Sequence, residues 1–149
     1  MTRRRAGWPA AALLVIALAS GCSTSPGVTD YRKQASLTLG TAVSEVATVR
    51  LVLSELADGD TFRPAALTQL RYSEETLGSA AQSFGSLNPP APADPVHQKT
   101  STLLGNAEEL LATVRIAVHR RHTDAYPGLV DDLKKVGSRL EELERRVQP

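Results

Sequence analysis

The sequence predicts an all-α protein, an antiparallel four-helix bundle made of two similar helical hairpins. Three observations carry this reading. Four segments repeat apolar residues three and four apart, the spacing of one helical face. Stretches rich in Gly, Pro and Asp interrupt them at Asp58-Gly59-Asp60, at Asn88 to Ala93 and around His122 to Pro127. Finally, the run from Leu39-Gly40-Thr41-Ala42 to Ala47-Thr48-Val49-Arg50 aligns without a gap on Leu104-Gly105-Asn106-Ala107 to Ala112-Thr113-Val114-Arg115. Helical periodicity does not dictate the matching Gly and Arg positions. Beyond the first turn, Phe62 and Pro64 answer Tyr126 and Pro127, with a slip of one residue. A lone hairpin cannot bury its apolar stripe, so two copies close into one bundle.

Taken in order, residues 1–21 read as a secretory signal: Arg3, Arg4 and Arg5 precede an apolar run from Trp8 to Ala19, too short for a membrane span of about 20 residues. Residues 22–29 form a tether with nothing to pack, reaching roughly 20 Å when extended. The bundle occupies 30–149, with one hairpin over 30–87 and another over 94–148. In the first helix Leu39, Ala42/Val43, Val46, Val49, Leu53 and Leu56 make the stripe, and Gly59 stops it. The second starts near Thr61, with Pro64 in its first turn and Leu67, Leu70, Leu77, Ala81 and Phe84 along one side.

The connector 88–93, Asn-Pro-Pro-Ala-Pro-Ala, reads as stiff and extended. Asp94 is expected to cap the third helix, with Leu103, Ala107, Leu110, Val114 and Ala117 on its face and Leu104, Leu111 and Val118 widening it. That helix ends near His122. Thr123 or Asp124 caps the fourth, whose Tyr126, Leu129, Leu133, Val136, Leu140, Leu143 and Val147 keep the same rhythm. Outside it, Asp131/Lys135, Glu141/Arg145 and Glu142/Arg146 are spaced as acid-first pairs.

At the end of the signal, Ala19-Ser20-Gly21-Cys22 resembles the lipobox of bacterial lipoproteins. The resemblance implies cleavage before Cys22, diacylation of its thiol by chains such as palmitate and acylation of the new amino group. Cleavage by ordinary signal peptidase is the alternative. Cys22 is the only cysteine, so no intramolecular disulfide competes for it. Two or three acyl chains hold firmly, at about 0.8 kcal/mol per buried methylene. The expected place is the bacterial cell envelope, lipid-anchored and facing outside the cytoplasm. Helices of about 25 residues then carry the 58–61 and 122–127 loops roughly 38 Å from the anchored end.

Removing Arg3, Arg4 and Arg5 from 17 basic residues leaves 14 against 16 acidic ones, which argues against nucleic acid as partner. His119 and His122 stand three apart, but no third ligand in that turn completes a metal site. No Glu lies three residues before a His, as a di-iron bundle needs, and haem would have only His97, His119 or His122. There is no phosphate loop and no nucleophile elbow. No catalytic residue, metal or cofactor is expected. Arg50 and Arg115 lie beside the apolar stripes with no acid three or four away, so they either cover apolar surface and pair between helices or form an anion site. With His119, Arg120, Arg121 and His122 they are the candidate anion or partner contacts. The expected function is a non-enzymatic envelope lipoprotein presenting a structural or partner-binding helical module. The alternative is a bundle that binds a small ligand, an anion or a metal.

Overall fold

The computed structural model describes residues 27–148; the expected signal over 1–21, Cys22 and the expected tether up to Pro26 lie outside the described residues. Four helices follow one another: α1 Val28–Asp58, α2 Arg63–Gly85, α3 Asp94–Arg120 and α4 Tyr126–Val147. They make an antiparallel four-helix bundle. Each packs on its neighbour in sequence, α4 closes the ring against α1, and α1 also touches α3 across the middle. The turns at 59–62 and 121–125 lie at one end, and the 86–93 connection at the other.

The core is the periodic stripe of each helix. In α1, Leu39, Ala42, Val46, Val49 and Leu53 are buried as their spacing predicts, and Tyr31 and Ala35 carry the stripe two turns further back. That added packing starts the helix at Val28, so Val28 and Thr29 belong to its first turn and not to the tether. In α2, Leu70, Leu77 and Phe84 are buried, but the helix starts at Arg63, two residues later than expected. In α4, Leu133, Leu140, Leu143 and Val147 are buried.

In α3 the burial is turned from the expected face. Leu104, Leu111 and Val118 are in the core, whereas Leu103 and Leu110 are only half-buried. Leucine stands at both members of the pairs 103/104 and 110/111, so periodicity cannot choose between them. Contact with α2 on one side and α1 across the middle chooses.

The helix ends correct three expectations. Ala91–Ala93 is a turn of 3-10 helix, not extended chain: Ala93 is fully buried and its N–H donates to the Pro90 carbonyl at 2.7 Å. Asp94 is the first residue of α3, with no capping bond from a side chain, and its charge sits where a helix N-terminus favours it. At the other end Thr123–Ala125 is likewise a 3-10 turn, and α4 begins at Tyr126 without a Thr or Asp cap. Pro in the first turn of α2, α3 and α4 removes one orphan donor from each, and the short turns leave less for a capping side chain to do.

The C-termini of α1 and α3 close alike. Gly59 has φ 83°, and the Asp60 N–H donates to the Glu55 carbonyl at 2.8 Å. α3 ends at Arg120 rather than His122, because Arg121 takes the left-handed conformation at φ 58° and the His122 N–H donates to the Ala117 carbonyl at 2.9 Å. In both, a left-handed residue turns the chain back so that the next N–H reaches the carbonyl five residues before it.

Burial also follows the sequence repeat. Residues 65 apart are buried together: Ala35 with Thr100, Leu39 with Leu104, Ala42 with Ala107, Val46 with Leu111, Val49 with Val114 and Leu53 with Val118. In the second helix of each hairpin the offset is 63, joining Leu70 with Leu133, Leu77 with Leu140 and Phe84 with Val147. That register matches Pro64 with Pro127 but separates Phe62 from Tyr126. Phe62 is 72 % exposed and Tyr126 only 4 %, so these two are not counterparts.

Candidate functional site

The four residues His119, Arg120, Arg121 and His122 are all exposed and run along the last turn of α3 into the 121–125 turn. Cations are favoured there by the helix C-terminus. The 59–62 turn at the same end brings Phe62 into solvent, but Asp58, Asp60 and Asp124 balance the cluster. The tip is therefore mixed in charge.

Arg50 and Arg115 occupy matching positions of α1 and α3, and the structure does not bring them together. Arg115 turns to α2, where its Nε donates to Glu74 Oε2 at 2.6 Å in a half-buried pair. Arg50 is exposed and lines a small hollow against α4 with Lys134 and Glu141, without an ion pair of its own within the described residues. The offset explains the difference. Glu74 in α2 corresponds to Gly137 in α4, so the partner that Arg115 finds is missing opposite Arg50. At Gly137 itself a Cβ would only make ordinary contact with Val46 Cγ1, 3.6 Å away, so what the glycine changes is the missing carboxylate and not the helix spacing.

A concave surface that the sequence reading did not single out runs between α3 and α4. Near the connector end it opens as a hollow of about 490 Å³ floored by Leu103 and Leu143, with Lys99, Arg139, Glu142 and Arg146 on its walls. A second hollow of about 390 Å³ continues along the seam over Leu110 and Val136, shares Arg139 and has Glu109, Asp132 and Lys135 on its rim. Arg146 is paired with Glu142 and Lys135 with Asp132. Lys135 thus takes the acid three residues back in place of Asp131. Arg145 donates to the Glu141 backbone carbonyl at 3.4 Å, not to its carboxylate. Lys99 and Arg139 have no ion-pair partner among the described residues. Periodicity gives no separate signal for this groove: it assigns Leu103, Leu110, Val136 and Leu143 all to core stripes, and the structure leaves the first three half-buried at the seam with Leu143 closed beneath them.

At the connector end Tyr31, Phe84 and His97 lock α1, α2 and α3 together. The Tyr31 hydroxyl and His97 Nδ1 share a hydrogen bond of 2.6 Å, and the His97 ring stacks on Phe84 with centroids 5.4 Å apart. Burial, and then the negative charge of Asp94, push the Tyr31 phenol above its ordinary range. This arrangement reads as a structural clasp: His97 is half-buried and spends one ring nitrogen on Tyr31. Among the described residues, no three His, Cys, Asp or Glu side chains gather as metal ligands. Comparison of this chain with protein-family models, curated proteins and solved structures finds no match.

Proposed function

We propose that this chain is a lipid-anchored envelope protein without catalytic activity, whose bundle holds a partner protein in the α3/α4 groove. Two supports come from different parts of the chain. Arg3 to Arg5, the short apolar run and Ala19-Ser20-Gly21-Cys22 support export and acylation at Cys22. For the bundle, one observation carries the reading: the groove has an apolar floor of half-buried Leu103 beside buried Leu143, between Lys99 and Arg139, two cations without partners among the described residues. An amphipathic helix with apolar anchors and acidic flanks fits such a surface, its anchors on the floor and its acids at the rim.

Two measurements test the two halves of the proposal. Mass spectrometry of the chain from membranes is expected to show an N-terminal Cys22 carrying acyl mass; an unmodified terminus at another residue overturns the anchor. A photo-crosslinking residue at position 103 in the full chain is expected to capture one discrete protein, with capture reduced at least tenfold by Arg139→Glu. Labelling no different from that at exposed Ser79 on α2 overturns the groove.

A further inference from the structure

The exposed side of α1 is the surface with the least ordinary composition. By length and composition α1 alone among the described helices could cross a membrane, yet only 39 % of its most apolar window is buried in the bundle. Its solvent line runs Lys33, Leu37, Ser44, Leu51, Glu55, with Gly40, Thr41, Ala47 and Thr48 beside it. Leu37 and Leu51 are 60 % and 59 % exposed. Between Lys33 and Glu55 the charges on α1 are Glu45 and Arg50, at 100° per residue both more than about 90° around the helix from Ser44, and α4 sets the Glu144 carboxylate against Gly40 at the edge of the line.

The hydroxyls on this line do not keep it wet. Thr41, Ser44 and Thr48 donate to the carbonyls of Leu37, Gly40 and Ser44 at 3.2, 3.0 and 2.9 Å. Covering them therefore leaves no donor unsatisfied, and the desolvation cost of a polar surface is largely absent. Lys33 and Glu55 have no ion-pair partner among the described residues.

The spacing then specifies the occupant. Leu37 and Leu51 stand seven residues either side of Ser44, and Lys33 and Glu55 stand eleven either side, with opposite charge. We infer that this face of α1 is a contact between two copies of the chain, related by a twofold axis at Ser44 with the helices antiparallel. Leu37 of one copy meets Leu51 of the other, and Lys33 meets Glu55 twice, because a twofold contact repeats each pair. A parallel arrangement would set Lys33 against Lys33. Asp30 and Asp58, further out at the helix ends, rotate to opposite sides of the line and do not meet. Small residues at the crossing allow axes about 8 Å apart, which brings the two Ser44 Cα atoms within disulfide reach. One helix face is at the small end of protein interfaces, so the pair is reversible.

Cysteine cross-linking of the full chain in membranes tests the geometry. Ser44→Cys is expected to form a disulfide-linked dimer under mild oxidation. Leu37→Cys alone and Leu51→Cys alone are expected not to, whereas the two co-expressed chains link to each other. Lys33→Glu is expected to reduce the Ser44→Cys cross-link at least fivefold, and adding Glu55→Lys to restore it. Absence of the Ser44→Cys cross-link overturns the inference, as does an equal yield from Ser79→Cys on α2 or self-linking of Leu37→Cys, which signals a parallel pair. Light scattering of the detergent-extracted chain is expected to show dissociation on dilution. A strict monomer at every concentration, with no cross-link, also overturns it.

Discussion

The hairpin α1–α2 and the hairpin α3–α4 bury the same register of residues and differ in almost everything outside it. Leu39 and Leu104, or Leu77 and Leu140, sit in equivalent, fully buried positions. Yet one turn closes with Gly59 and the other with Arg121, and among the described residues one matching arginine is paired while the other is not. Apolar burial depends on area and period, which the repeat preserves. The surface depends on single residues across a seam, which it does not. Gly137 standing where α2 has Glu74 changes the surroundings of Arg50, which lines the same hollow but meets no carboxylate from that position.

The largest test of this comparison is in the core. Leu77→Ala and Leu140→Ala should each cost roughly 2 to 5 kcal/mol, and by similar amounts if the halves are equivalent, because both leave a cavity where a side chain was fully enclosed. Urea denaturation measures it. A cost at one position less than half that at the other breaks the equivalence.

The turns should respond in opposite directions. Gly59→Ala should destabilise by about 1 kcal/mol, since an L side chain is strained at φ 83°, and Arg121→Gly should stabilise by about the same, since it removes that strain at φ 58°. Melting temperatures of the two variants decide it; equal signs would show that the turns are not alike.

The arginine pair sharpens the comparison further. Arg115→Gln should cost up to about 1 kcal/mol by leaving Glu74 half-buried without its cation, while Arg50→Gln should change stability by only a few tenths of that. A double-mutant cycle with Glu74→Gln should show coupling for Arg115 and none for Arg50.

The smallest effect is in alkaline pH. Burial raises the phenols of both Tyr31 and Tyr126; Asp94 adds to the shift at Tyr31, while Arg63 opposes it at Tyr126. A group raised in the folded state gives its full stability below its unfolded value near 10 and loses it as pH rises through the higher folded value. Stability should therefore fall above about pH 10, and Tyr31→Phe should flatten that fall more than Tyr126→Phe. Helical circular dichroism followed in urea at pH 9 and pH 11 gives the comparison.

Local chemistry in the chain was enough to determine four helices, their order, most of the buried stripe and the hairpin repeat, because period, proline and glycine act within a few residues of one another. It also left Arg115 without an acid three or four residues away, so that its charge had to look to another helix. Tertiary packing alone decided which of Leu103 or Leu104 enters the core, since both satisfy the period and only the position of α2 and α1 separates them. The same holds for the α3/α4 groove, which exists where Leu103, Leu110 and Val136 are left half-buried at a seam that the helices do not close, and for the Tyr31–His97 bond, whose partners are distant in sequence. A period fixes which way a side chain leaves its own helix; what it meets there depends on the other three.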